Sequence, residues 1–156
     1  MGKDYEYLDD YKVGEKMLSP ARTITETDLV NFAGFTGDWH PLHTDVVYAS
    51  ATPFKERITH GMLTLNIGMA LPFRLGIHSS YLPKSLIAFY GMDKVRFIAP
   101  TRIGDTIHCE VEVVEIKDKN KKKGVLKTRQ SIKNQNGELL VTYIIKVLCG
   151  KRPESS

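Results

Sequence analysis

The sequence predicts an α+β chain in which one long central helix is wrapped by a curved antiparallel β-sheet. Three observations carry this expectation. Residues 61–75 are apolar nearly all the way round, which predicts a helix buried on all sides. After residue 85 the pattern changes to strands, with period-2 alternation clearest in Glu110-Val111-Glu112-Val113. Turn signals at residues 119–124 and at Asn134-Gln135-Asn136-Gly137 then separate the strands into hairpins. The economical arrangement is a sheet folded around the buried helix.

All 156 residues (1–156) read as one domain, with no internal repeat, low-complexity linker or second domain. Residues 1–12 and 151–156 are expected to be loose termini. The first forty residues predict only one helix. Thr25 is a good N-cap with Asp28 three positions on, close to a capping box. Leu29, Val30, Phe32 and Ala33 follow, and Gly34 or Gly37 ends the helix. A loop over residues 37–43 comes next, in which Pro41 is expected to exclude a helix and to hold His40 extended. Thr44 is then expected to cap a short helix over residues 45–51. The apolar helix 61–75 is too short to span a membrane, and Pro72 kinks it near its end. Residues 85–90, 94–98, 106–116, 125–133 and 139–148 are the candidate strands. A single sheet around one helix leaves an edge or face uncovered, and dimerisation is the usual remedy. The chain is therefore expected to form a homodimer or a higher homo-oligomer.

Composition narrows the function classes. Hydrophobic residues make up 42% and charged residues 26%, as in an ordinary soluble globular protein. The acidic, tyrosine-rich start lacks the basic and apolar regions of a secretory signal, so a cytoplasmic location is expected. Cys109 and Cys149 have no metal-ligand spacing and do not suggest a disulfide framework. The net charge of +4 is uneven: residues 117–133 hold a local +7, leaving −3 elsewhere. That segment reads either as a patch for nucleic acid or coenzyme phosphates, or as a solvated hairpin tip. No aromatic residue is interleaved to stack on bases, so no nucleic-acid partner is expected, and with the apolar helix too short to span, no membrane is expected either.

Three motifs carry chemistry. Asp38 and His43 lie five apart in Gly37-Asp38-Trp39-His40-Pro41-Leu42-His43. On one helix that spacing separates them, but a tight loop can turn both toward one water as an acid–base pair. The competing structural role has Asp38 capping the loop and His43 bonding a backbone carbonyl. The second motif is Thr59-His60-Gly61-Met62, where the buried helix begins. The first helix amides lack internal partners, and Gly61 lets a ligand approach, so its amide could hold a developing oxyanion. Its structural alternative is a buried N-terminus satisfied by Thr59. In the third motif, residues 96–106, Pro100 ends one strand and Gly104-Asp105 turns into the next, with Arg96 as a surface residue or a phosphate contact. His78 and His108 read as surface or strand residues.

Together and in this order, GDWHPLHTD, ITHGMLT and VRFIAPTRIGDTI resemble the MaoC-like hydratase family, which includes R-specific enoyl-CoA hydratases and related dehydratases. The resemblance runs from about Val13 to the last strand. It implies a hot-dog fold working as a dimer, with an acyl-CoA thioester as substrate. The family's catalytic Asp falls on Asp38 and its His on His43. Its His-Gly pair falls on His60-Gly61, with the Gly61 amide on the thioester oxygen; Trp39, His40 and Met62 complete the implied substrate contacts. The pantetheine arm would run between subunits, without metal or redox cofactor, and water would add across C2–C3 on one face. Three departures leave the acyl group open. His40 stands where many relatives carry Asn, Trp39 beside it is bulky, and Met69 takes the place of a hydroxyl residue two turns into the helix. The DWHPLH stretch resembles the MaoC branch itself, which includes mesaconyl-CoA-type hydratases. Rival readings are a hot-dog thioesterase, a non-catalytic acyl-CoA-binding regulatory module, and a metal site of Asp38, His40, His43 and His60.

Overall fold

The strands form one antiparallel sheet in the order β1-β4-β5-β6-β3, from β1 (Lys16–Leu18), β3 (Leu86–Phe97), β4 (Thr106–Asp118), β5 (Lys123–Lys133) and β6 (Leu139–Gly150). A short β2 (Arg22–Thr23) also pairs with β4. The computed structural model describes residues 4–74 and 81–154. Burial alternates along β4 and β6, so Ile107, Cys109, Val111 and Val113 on one and Val141, Tyr143, Ile145 and Val147 on the other face a common core.

The central helix, α4 (Gly61–Ala70), lies against that core through Leu63, Thr64, Leu65 and Gly68. Gly68 sets the closeness of the crossing: a Cβ there would lie 2.2 Å from Ile132 Cδ1 on β5. A 3-10 turn over Leu71–Arg74 follows, with Pro72 inside it, as the expected kink required. Leu75, the last residue of the expected helix, and His78 lie outside the described residues. The hot-dog arrangement of helix and sheet is thus present, and no described helix is long and apolar enough to cross a membrane.

Several local expectations are corrected. The central helix is not buried all round: Met62 is 51% exposed and Asn66 is exposed, because the sheet covers only one side. Strands β1 and β2 were not expected; three and two residues are too few to show a period. The candidates at 85–90 and 94–98 are one strand, β3, with register shifts where Gly91 and Lys94 take φ of 154° and 52°. The start of the chain is not loose over residues 4–12. Tyr5, Leu8 and Tyr11 are buried, and the Tyr11 hydroxyl donates to the Tyr81 carbonyl at 2.6 Å. Nor is the other end free at 151 and 152: Lys151 pairs with Asp118 at 2.6 Å and Arg152 with Asp10 at 2.6 Å. Cys109 and Cys149 are both free thiols in the core.

The basic segment spans the β4–β5 hairpin. Across it Lys127 meets Glu115, Arg129 meets Glu112 and Lys133 meets Glu110, at 2.7, 3.0 and 2.8 Å. The β4 glutamates therefore offset part of the local +7 read from residues 117–133, and the outer face is a ladder of half-buried cross-strand pairs.

Candidate active site

The site is assembled from three chain segments that converge on the N-terminus of α4. The first is α1 (Glu26–Thr36). Its N-cap is Thr25, whose amide and hydroxyl both donate to the Asp28 carboxylate, at 2.8 and 2.9 Å. Gly37, at φ 78°, closes the helix and sends its amide to the Ala33 carbonyl at 2.8 Å. The next residue is Asp38, exposed, with its amide on the Thr36 hydroxyl at 3.2 Å and its Oδ1 accepting from the His40 amide at 3.3 Å.

The second segment corrects the reading of Pro41. It does not exclude a helix but opens one: α2 (Pro41–Thr44) has Pro41 as its first residue, where the missing N–H costs nothing. His40 before it is extended, as expected, at φ −54° and ψ 134°, and its Nδ1 accepts from the Leu42 amide at 3.2 Å. Thr44 does not cap the next helix, α3 (Val46–Ser50). Asp45 does, accepting from the Val47 and Tyr48 amides at 2.9 and 3.0 Å, since Thr44 is the last residue of α2 with its hydroxyl turned back on the Trp39 and His40 carbonyls, and a carboxylate suits the positive end of the next helix.

His43 sits on α2, and its Nδ1 lies 2.7 Å from the Ile58 carbonyl. A carbonyl can only accept, so Nδ1 carries the proton and Nε2 keeps the lone pair in the neutral ring. Burial pulls the His43 pKa below the ordinary value. The bond to Ile58 and the charge of Asp38 push the other way, while His60 and His40 add to the depression. A neutral imidazole with a fixed tautomer results.

The third segment is His60-Gly61. His60 is the N-cap of α4, only 2% exposed, and its Nε2–H donates to the Asp38 carbonyl at 3.0 Å. Its ring lies face to face with that of His43, centroids 3.9 Å apart at 29°. Asp38, His43 and His60 each bring one side-chain polar atom within 4.8 Å of the others. Gly61 is the first residue of α4, so its amide has no partner inside the helix and carries the positive end of the dipole. A cleft of about 330 Å³ opens there, lined by His43, Gly61, Thr64, Phe97, Ala99 and Thr101 among others. A Cβ on Gly61 would lie 3.0 Å from the Phe97 ring, so only glycine leaves this edge of the cleft open.

Of the residues expected at the site, Asp38, His43, His60 and Gly61 come together. Trp39, His40 and Met62 are exposed and, like Asp38, do not line the cleft. His60 is too deeply buried to offer its ring to a ligand. Phe97 and Thr101 were given no role at the site, and Thr59 does not satisfy the N-terminus of α4 as its structural alternative required: the hydroxyls of Thr59 and Thr101 line the cleft, buried and without a partner among the described residues. The Ile58 carbonyl, which sets the His43 tautomer, is a backbone group with no sequence signal. The near-parallel rings of His43 and His60 aim their lone pairs in similar planes, which suits a stack better than a tetrahedral metal. A larger depression of about 490 Å³ lies between Lys121, Lys122, Lys151 and Arg152, but three of these four are ion-paired and no acid–base pair is present.

The family model described as MaoC like domain matches residues 10–135. The chain belongs to the MaoC-like family. An (R)-specific enoyl-CoA hydratase of Rhodospirillum rubrum is 41% identical over 109 residues, 69% of this chain and 69% of that protein. Protein MaoC of Klebsiella aerogenes is 37% identical over 106 residues, 68% of this chain but only 30% of that larger protein. Among solved structures, one titled as a monoamine oxidase regulatory protein from Archaeoglobus fulgius superposes with a TM-score of 0.90 at 42% identity, covering 98% of this chain and 99% of that one. A Mycobacterium tuberculosis protein described as a double hot-dog fold shares the architecture alone, at 17% identity and a TM-score of 0.80 over 97% of this chain and 46% of that one. The MaoC-like relatives thus include proteins named as hydratases and dehydratases, which are hydro-lyases.

Proposed function

We propose that this MaoC-like chain hydrates trans-2-enoyl-CoA thioesters to 3-hydroxyacyl-CoA, or runs the reverse dehydration, as a cytoplasmic homodimer without metal or redox cofactor. The observation that carries this reading is that a tautomer-fixed His43 and Gly61 line one cleft, with a carboxylate oxygen of Asp38 within 4.8 Å of a His43 ring nitrogen. The Asp38 carboxylate orients a water molecule. His43 Nε2 takes its proton as the oxygen attacks C3, and the electron pair moves to the thioester oxygen. The Gly61 amide and the α4 dipole stabilise that enolate, an interaction whose removal typically costs about 3 kcal/mol in the transition state. The proton then passes to C2 on the same face. A binding module or regulator needs the cleft but has no use for the fixed base.

The dimer reading rests on β3. It is an edge strand, and Phe89 and Phe97 on it are 57% and 52% exposed, with Met62 of α4 exposed as well. A second copy laid against this side covers the edge and the open face of α4 together. The test of function is loss of enoyl absorbance with crotonyl-CoA. Asp38→Asn should cut turnover on the order of 10²–10⁴-fold while leaving the circular dichroism spectrum unchanged. Parental turnover in Asp38→Asn, or release of free thiol without loss of the double bond, overturns the assignment.

A further inference from the structure

The side chain that touches both members of the pair is neither of them. His60 donates Nε2–H to the backbone carbonyl of Asp38 at 3.0 Å and stacks its ring on His43 at 3.9 Å. Phe32 of α1 packs against it, centroids 5.0 Å away. Its backbone is fixed as the N-cap of α4, so it is tied to the element that carries Gly61.

We propose that His60 is a positioning residue that holds Asp38, His43 and the Gly61 amide in one register, acting through the loop backbone on one side and the stacked imidazole on the other. The inference rests on the reading of Asp38 and His43 as the acid–base pair. Loop residues have no intrinsic reason to hold a carboxylate at a fixed place beside an imidazole, and among the described residues Asp38 is otherwise hydrogen-bonded to its neighbours Thr36 and His40. The bond from His60 spans 22 residues and ties the backbone at Asp38 to the cap of α4. The stack does a second thing. A flat ring at van der Waals distance keeps water off one face of His43. This contributes to the burial that keeps His43 neutral. The titratable groups facing His43 are Asp38 from the loop after α1, His40 from the cap of α2 and His60 from the cap of α4.

Two substitutions in the full chain separate the two contacts. His60→Phe keeps a flat ring and loses the donor; His60→Gln keeps a donor and loses the ring. Long-range 15N–1H correlation spectra report the tautomer and titration midpoint of each histidine without any substrate, alongside kcat and KM on crotonyl-CoA. In the parent, His60 should carry its proton on Nε2 and His43 on Nδ1. His60→Gln should raise the His43 midpoint toward the ordinary value as water reaches the ring. His60→Phe keeps the covering ring and loses only the charge of His60, so it should raise that midpoint less than His60→Gln does. Both should lower kcat, on the order of 10²-fold for a displaced catalytic group, with KM nearly unchanged. Parental kcat and an unmoved His43 midpoint in both variants overturn the proposal. So does a parent spectrum with the His60 proton on Nδ1, a result that needs no variant to fold. The hydratase reading stands apart: a parent that hydrates no enoyl-CoA, yet shows the expected tautomers and the raised midpoint in His60→Gln, sinks the reaction and supports the positioning role.

Discussion

His43 combines two features that the proposed base requires, the first of which is also the backbone bond of its competing structural role. Its Nδ1 is committed to the Ile58 carbonyl, and burial holds its pKa below the ordinary histidine value. Both follow from where α2 sits, since His43 follows Pro41 by two residues and faces the strand-like segment at Ile58. The sign of the pH dependence follows. The working form is neutral, so activity should persist as pH falls through about 6.5, where an ordinary histidine becomes charged, and be lost only below that. The unfolded chain takes up the proton at the higher pH, so His43 also removes stability as pH falls through the same window below about 6.5. A pH profile of kcat/KM on the parent checks this: an acid limb above the ordinary histidine range contradicts the assignment of His43 as the base. The residue types were legible in the sequence. Their roles were less so, because a backbone carbonyl leaves no mark and because His60 read as a ligand-binding residue until its burial was known.

At the level of elements, α4 shows how one small residue decides a packing distance. Gly68 faces Ile132 on β5 with no room for a methyl group. Gly68→Ala should destabilise the fold by about 1–3 kcal/mol, the usual cost of overpacking a filled core, read as a lower denaturation midpoint in urea with an unchanged slope. An unchanged midpoint contradicts the close crossing. The long strands and the central helix were legible because each carries enough residues to display its period. The errors fell on short or irregular elements. Three-residue β1 has no period, Pro41 starts a helix as readily as it stops one, and the Gly91 and Lys94 bulges made one strand look like two. Asp45 took the cap assigned to Thr44 because the two acceptors stand side by side and only their hydrogen bonds distinguish them.

For the whole molecule, the uncovered side is the informative one. The outer face of the β4–β5 hairpin is paired Lys, Arg and Glu, while the far edge presents β3 and the open side of α4. A second copy on β3 predicts a sedimenting mass of twice 17.6 kDa. Phe89→Lys should shift that species toward a single chain and lower turnover with it, because charge on an edge strand opposes pairing. A parent that sediments as a monomer, fully active, would sink the dimer reading.

The sequence by itself determined the fold class, the helix-then-strands order and the presence of an Asp, a His and a His-Gly pair in the right order along the chain. These are local properties: periodicity, turn residues and motif spacing. Only the tertiary structure decided that Asp38 and His43 share one place with His60 and Gly61, which nitrogen of His43 is free, and that Tyr5, Leu8 and Tyr11 belong to the core. The reason is physical. Each of these depends on contacts between segments distant in sequence, and burial, tautomer and pKa belong to the surroundings of a side chain rather than to its type.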